Sequence, residues 1–250
     1  MEDGKVISNL NVLYEDNHII VVEKPVNVLS QGDNTGDISL LDMVKEYVKE
    51  KYNKPGNVYI GLIHRLDRPV GGIMVFARTS KAASRLSKQV SERGFSKKYY
   101  AIVSGKMEKE NDKFIDNLKR LDNGNTIVSS DGKRSVLSYE LLSYNKDVDA
   151  SLVDISLETG RHHQIRVQFA SRGHCLLGDQ RYGKQDKTQI ALYSYELEFV
   201  HPVTKEVMKF SLKPEKNGHW NNFTQYRKYC LIKCLHLQTF FVIIILELWE

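Results

Sequence analysis

Cysteine is scarce in this 250-residue chain, which holds three: Cys175, Cys230 and Cys234. An odd, late-placed count rules out a disulfide framework, and no apolar leader opens the sequence, so a reducing cytoplasm is the expected compartment. Proline (5) and glycine (16) are too few for a low-complexity chain. Long hydrophobic runs are missing as well. The most apolar stretch, Thr239 to Leu246, is eight residues, against the ~20 a membrane helix requires. It is compatible with a final strand or an unpaired β-prone segment. Metal-ligand spacing is incomplete: Cys230, Cys234 and His236 lack the second ligand pair of a closed zinc site. With 41% hydrophobic and 27% charged residues, what remains is an ordinary globular protein able to bury its own core.

The net charge of +5 is modest, but it is not evenly spread. Between Arg78 and Lys98 stand Arg78, Lys81, Arg85, Lys88, Arg93, Lys97 and Lys98 against one acid, Glu92, a local surplus larger than that of the whole chain. At 100° per residue, Lys81, Arg85 and Lys88 share one helix face while Ala83, Leu86 and Val90 share the opposite one. Such a face suits polyanion phosphates, and it equally suits plain solvation.

Strand patterns dominate elsewhere. Val12–Tyr14 and Ile19–Val22 flank a short turn, and Pro25 ends the second run. Ser39 and Asp42 open a helical pattern of Leu40, Leu41, Val44 and Val48, which Pro55-Gly56 stops. Val58–Ile63, Ile73–Phe76 and Tyr99–Val103 read as strands. From Lys113 to Leu157 runs a series of strands with turns at Asn123-Gly124 and Asp131-Gly132. His162 to Arg172 is expected to be helical, and Ala191–Val200 and Val207–Leu212 to be strands joined across His201-Pro202. The expected fold is α+β, with a mixed and largely antiparallel β-sheet. With no long amphipathic interface helix, a monomer is expected.

Three stretches carry chemistry. In His64-Arg65-Leu66-Asp67-Arg68 an aspartate stands between two arginines after an apolar strand, where positive neighbours favour its ionised form. It can be a nucleophile, a base or one half of a structural ion pair. No second acid is near, which disfavours a two-carboxylate hydrolase or a cation cage. In Lys97-Lys98-Tyr99-Tyr100-Ala101 the tyrosines point to opposite faces of a strand, so one can face a cleft while the other packs. In Thr159-Gly160-Arg161-His162-His163-Gln164-Ile165-Arg166, Thr159 sits where a helix cap belongs, and Arg161 and Arg166 can grip carboxylate or phosphate. Adjacent histidines point about 100° apart on a helix and cannot easily share one ion, so no metal is expected.

Together and in this order, these stretches resemble the RluA-type family of RNA pseudouridine synthases. The resemblance extends to Glu15-Asp16 with Lys24-Pro25 and to Gly105. It also takes in Gly173-His174 and Gly178-Asp179-x-x-Tyr182-Gly183, so that it covers roughly residues 11–213. It departs at Val70-Gly71-Gly72, where the family often has Thr-Ser-Gly, and at Cys175, where it has proline. The resemblance implies a sheet flanked by helices with a central cleft, and a catalytic domain over residues 1–216 followed by a C-terminal extension at 217–250. It also implies isomerisation of uridine to pseudouridine in ribosomal or transfer RNA, with no cofactor and no metal. Asp67 would be the catalytic carboxylate, acting on C1′ or on the C2′ proton. Arg166 would pair with Asp67, Tyr99 would stack on the uracil and could take the C5 proton, and Arg65 would fill the space left by the extruded nucleotide. Arg68, Lys81, Arg85, Lys88, Lys97 and Arg161 would contact RNA. A non-catalytic RNA-binding or ribosome-assembly protein on the same fold is the competing reading. A lone-carboxylate nucleoside hydrolase, releasing free uracil, is a third.

Overall fold

The runs Ile19-Ile20-Val21-Val22 and Ile73-Met74-Val75-Phe76 show no polar alternation because both faces of their strands are covered. In a computed structural model, which describes residues 10–224 and 226, β1 (Val12–Glu15) pairs antiparallel with β2 (Ile19–Lys24). In turn β2 pairs antiparallel with β4 (Gly71–Ala77), all of whose residues are buried. Ile20, Val22, Met74 and Phe76 face a cluster that includes Leu40, Val44 and Val48 of α1 (Leu40–Lys51). Ile19, Val21, Ile73 and Val75 face a second cluster, with Ala82 and Leu86 of α2 (Ser80–Ser91). Two-sided burial accounts for the continuous apolar runs.

The expected α+β class is what the fold shows. Among the described residues the remaining strands are β3 (Gly61–Leu62), β5 (Ser96–Ser104), β6 (Asn111–Arg120), β7 (Thr126–Val128), β8 (Lys133–Asn145), β9 (Ala150–Leu157), β10 (Leu192–Val200) and β11 (Val207–Ser211); α3 spans Gln164–Ala170. One sheet runs in the order β1-β2-β4-β10-β5-β9-β8-β6-β7, with β3 on β4 and β11 on β10. All pairings are antiparallel except that of β4 with β10, at Tyr193 with Gly71 and Ser194 with Gly72. That insertion of a late strand between early ones joins the two halves of the sheet, and the cleft lies over the junction. Gly72 has φ +127°, and a Cβ there would fall 2.2 Å from the Ser194 carbonyl oxygen. Glycine is therefore needed where the parallel strands meet.

Ser39 caps α1 as its spacing suggests. Its Oγ accepts the Asp42 amide at 3.3 Å, and the Asp42 carboxylate accepts the Ser39 amide at 3.2 Å. Replacing Ser39 with alanine is expected to cost about 1 kcal/mol. Urea unfolding should show a lower midpoint at unchanged slope.

Three expectations are corrected. Val58–Ile63 forms only the two-residue β3: Gly61 and Leu62 pair with Ala77 and Phe76, residues 58–60 lie past the end of β4, and on the other side the His64 imidazole Nε2 accepts the Val75 amide (3.2 Å). The third helix is shorter than His162–Arg172. His163 stands at its N-cap with φ +52° and no side-chain cap bond. Thr159 caps nothing, since its hydroxyl bonds Val136 of β8 and Gln164. Beyond residue 216, Trp220 and Phe223 are buried in one apolar cluster with Tyr100, Ile102 and Tyr195. Cys230, Cys234, His236 and the apolar Thr239–Leu246 stretch lie outside the described residues. No helix among the described residues is long and apolar enough to cross a membrane.

Candidate active site

The loop between β3 and β4 presents Asp67 to the cleft, and buried polar side chains hold that loop by its backbone. Ser30 Oγ accepts the Leu66 amide at 3.1 Å and donates to the Leu66 carbonyl at 2.7 Å. Lys24, fully buried, donates from Nζ to the carbonyls of Pro25, Arg68 and Val70 at 2.9, 3.0 and 2.9 Å. Three acceptors match the three N–H bonds of an ammonium. Burial pushes the Lys24 pKa down to about 7; Asp67 opposes the shift and Arg68 adds to it. The Val70 amide closes a turn on the Asp67 carbonyl at 3.0 Å. With main-chain atoms pinned on both sides, the 26%-exposed Asp67 carboxylate has its direction set before any substrate arrives.

Facing it is Arg166, 99 residues downstream. Its Nη1 donates to Asp67 Oδ2 at 3.1 Å, so the pair expected from the sequence is formed. The guanidinium is itself clamped: Nε and Nη2 donate to the two oxygens of buried Asp179 at 2.8 and 2.7 Å. Asp179 also accepts the amides of Arg181 and Tyr182. Burial opposes the charge on Asp179, but the Arg166 bonds and these amides outweigh it and hold the carboxyl below its usual range. The same bonds hold Arg166 above its usual range against burial. The planar fork of arginine fits this use, two prongs fixed and one tip free to meet the Asp67 carboxylate.

Tyr99 and Tyr100 divide as strand alternation requires. Tyr100 stacks on Tyr195 at 3.9 Å in the core, and Tyr99 lines the cleft beside Asp67. Burial pushes the Tyr99 phenol up to about 12, with a hydrogen bond to Ser194 acting against the shift and Asp67 adding to it. At neutral pH the phenol therefore keeps its proton. His64, under the loop, is pushed down to about 3 by burial, with Lys97 adding, and stays neutral.

The cleft has a volume of about 1430 Å³, room for a nucleotide and its neighbours. Arg65, Arg68, Lys97 and Arg161 line it, as do Arg120, Arg181 and Lys187, against the acids Asp33 and Asp67. Arg65 is exposed at its rim. Arg68 is held by Asp37 at 2.7 Å, and burial lowers the pKa of Lys97. Lys81, Arg85 and Lys88 of α2 do not line it. Arg85 donates instead to the Pro202 carbonyl at 2.9 Å, and Lys88 faces Glu92 at 3.7 Å. The basic helix face exists, but it belongs to the β10–β11 side of the sheet.

The site is thus a carboxylate aimed by a clamped arginine, beside a protonated tyrosine, in a cation-lined cleft. The model of the RNA pseudouridylate synthase family matches residues 18–171. The chain belongs to the RNA pseudouridine synthases. Its relatives include the dual-specificity RNA pseudouridine synthase RluA of Haemophilus influenzae, 34% identical over 82% of this chain and 94% of that protein. The ribosomal large subunit pseudouridine synthase D of Zymomonas mobilis is 32% identical over 80% of this chain and 68% of its own length. Among solved structures, human RNA pseudouridylate synthase domain containing 4 superposes with a TM-score of 0.70 at 20% identity, covering 85% of this chain and 90% of that one.

As a pseudouridine synthase the protein is an isomerase. The family match encloses Asp67, Tyr99 and Arg166 but stops short of Asp179 and Tyr182. Those two, with His163, Arg120, Arg181, Lys24 and Ser30, are the site residues to which sequence reasoning gave no role. Lys24, Asp179 and Tyr182 stood inside motifs already quoted. Arg120 carried no signal, because the β6–β7 hairpin meets the cleft only through the sheet order, and Arg181 fell at an unspecified position of the Gly178–Gly183 motif.

Proposed function

We propose that this protein converts a uridine of ribosomal or transfer RNA to pseudouridine in the cytoplasm, acting as a monomer, with Asp67 as its catalytic carboxylate. The contact of Arg166 with Asp67 inside a cationic cleft carries the reading. The conversion breaks the C1′–N1 bond, forms C1′–C5, removes the proton from C5 and places one on N1. Nothing is consumed. Asp67 attacks C1′ or takes the C2′ proton, and either step needs its charged form. Arg166 keeps the carboxylate aimed, and Tyr99 offers its ring to the uracil. A uridine inside a stem must leave the stack to reach Asp67, and exposed Arg65 stands where it can fill the space left behind. Relatives named for the ribosomal large subunit and for dual specificity support the choice of RNA.

Mapping of pseudouridines in total RNA with and without the gene tests the reading. At least one site should vanish on deletion and return when the purified protein is added to the deleted strain's RNA. Release of free uracil would instead mean hydrolysis and overturn it.

The placement of cations adds a prediction. Arg68, Lys97 and Arg161, with Arg120 and Arg181, would hold phosphates around the extruded nucleotide, giving affinity that falls with salt. Changing Arg120 and Arg181 together to glutamate should weaken RNA binding at low salt by about tenfold or more. The slope of log affinity against log salt should flatten by about two. Glutamates at Lys81, Arg85 and Lys88 should do less, because that face lies away from the cleft. Fluorescence anisotropy across a salt series checks both.

A further inference from the structure

His163 has a backbone that nothing in helix formation requires. Its φ of +52° is the left-handed region that a non-glycine residue adopts at a cost, and it lies immediately beside Asp67. The strain turns its imidazole into the cleft. Nδ1 is 2.8 Å from the Tyr182 hydroxyl, and Nε2 is 3.6 Å from Asp67 Oδ2.

We infer that His163 is a positioning residue for Asp67, locked by Tyr182 in the tautomer that carries its proton on Nε2. It directs that N–H at Oδ2 and leaves Oδ1 as the reacting oxygen. The inference rests on the catalytic role proposed for Asp67.

Hydrogen-bond accounting sets the tautomer. The Tyr182 oxygen accepts the Thr126 amide at 2.8 Å, and its own proton needs an acceptor, which Nδ1 supplies. Were Nδ1 protonated, Tyr182 Oη would receive two N–H groups, and its proton would have no acceptor among the hydrogen bonds of the described residues. With Nδ1 accepting, the ring's single proton sits on Nε2 and faces the carboxylate. Arg166 Nη1 reaches the same Oδ2 at 3.1 Å, so both donors converge on one oxygen while no described donor bonds Oδ1. The Nε2 separation exceeds a hydrogen bond by about half an ångström, a gap of the kind that closes when substrate binds.

The groups facing His163 keep it neutral. Burial lowers its pKa to about 4. Asp67 opposes this, while Arg166, His162 stacked at 3.7 Å and Arg181 add to it; Arg120 faces His162 in turn. Near neutral pH the imidazole therefore donates through its tautomer and not through a charge. It can orient Asp67 without neutralising it, which an imidazolium beside Arg166 would do.

The test uses the full-length protein labelled with 15N-histidine, because ring-nitrogen shifts report the tautomer directly. His163 should appear at neutral pH as the uncharged Nε2–H form, and Tyr182→Phe should produce a mixture of tautomers. In isomerisation kinetics, Tyr182→Phe and His163→Leu should lower kcat by about tenfold or more with KM within about twofold. His163→Gln, whose amide N–H lies near the position of Nε2, should recover to within about threefold of wild type. An Nδ1–H or charged imidazole in active wild-type enzyme overturns the inference even if Tyr182→Phe fails to fold. Equal kcat in His163→Leu and His163→Gln also overturns it. A wild-type protein inactive on every RNA would overturn the reading of Asp67, and the positioning role with it, whatever the tautomer.

Discussion

Asp67→Asn should lower pseudouridine formation by about four orders of magnitude or more while RNA affinity stays within about threefold of wild type. The substitution keeps the shape of the side chain and removes the charge, and both routes open to the carboxylate need that charge. Little else should move. The loop is held by Lys24 and Ser30 through the carbonyls and amide of residues 66, 68 and 70, none of which involves the Asp67 side chain. Arg166 keeps its two bonds to Asp179 and so is not stranded. Binding and isomerisation should therefore separate cleanly, the first read by anisotropy and the second by pseudouridine-specific chemical labelling. Equal rates in wild type and variant would overturn the assignment of Asp67. Loss of binding in parallel with rate would mean that the carboxylate organises the cleft instead of acting on the nucleotide.

That outcome bears on how much of the site can be read without a structure. Asp67, Tyr99 and Arg166 were singled out by the order of three stretches that together resemble one family; each stretch alone left a structural ion pair, a packed tyrosine pair or a simple anion grip open. Ser39 and Asp42 were legible locally, a capping box being complete in four residues. What escaped depends on closure. The Asn123-Gly124 turn was visible, but Arg120 reaches the cleft only because β6 and β7 lie at one end of a sheet whose order departs from the order of the chain. Arg85 sits on the basic face its periodicity gives it, yet that face is turned toward Pro202 by the apolar cluster under α2. β3 is short because β4 ends at Ala77 on one side of the pairing and one histidine side chain occupies the Val75 amide on the other, neither of which strand propensity encodes. The left-handed His163 is harder still, since no residue type marks it. Only the finished contacts with Tyr182 and Asp67 show why the chain bends there.

Asp179→Asn should be the most damaging change outside the reacting groups. Arg166 is 6% exposed, and two of its donors end on Asp179. An asparagine cannot accept both bonds, so a buried guanidinium loses its main counter-charge and keeps only the partly exposed Asp67. Breaking a buried pair in this way costs about 3 kcal/mol, or roughly 6–12 °C in Tm for a protein of this size. Activity should fall with it, by about a hundredfold, because an arginine free to shift by an ångström no longer aims the carboxylate. The dependence on pH carries a sign that identifies the cause. The Asp179 carboxyl is held below its ordinary 3.8 in the folded protein, so the unfolded chain takes up a proton first as the solution is acidified. The stabilisation from the pair is complete above about pH 4 and is lost as pH falls through the lowered folded value. The gap in Tm between wild type and Asp179→Asn should thus be widest near neutrality and close on the acid side. Calorimetry across pH 3–8 measures it, and a gap that stayed constant would mean that packing, not charge, is what Asp179 contributes to the clamp.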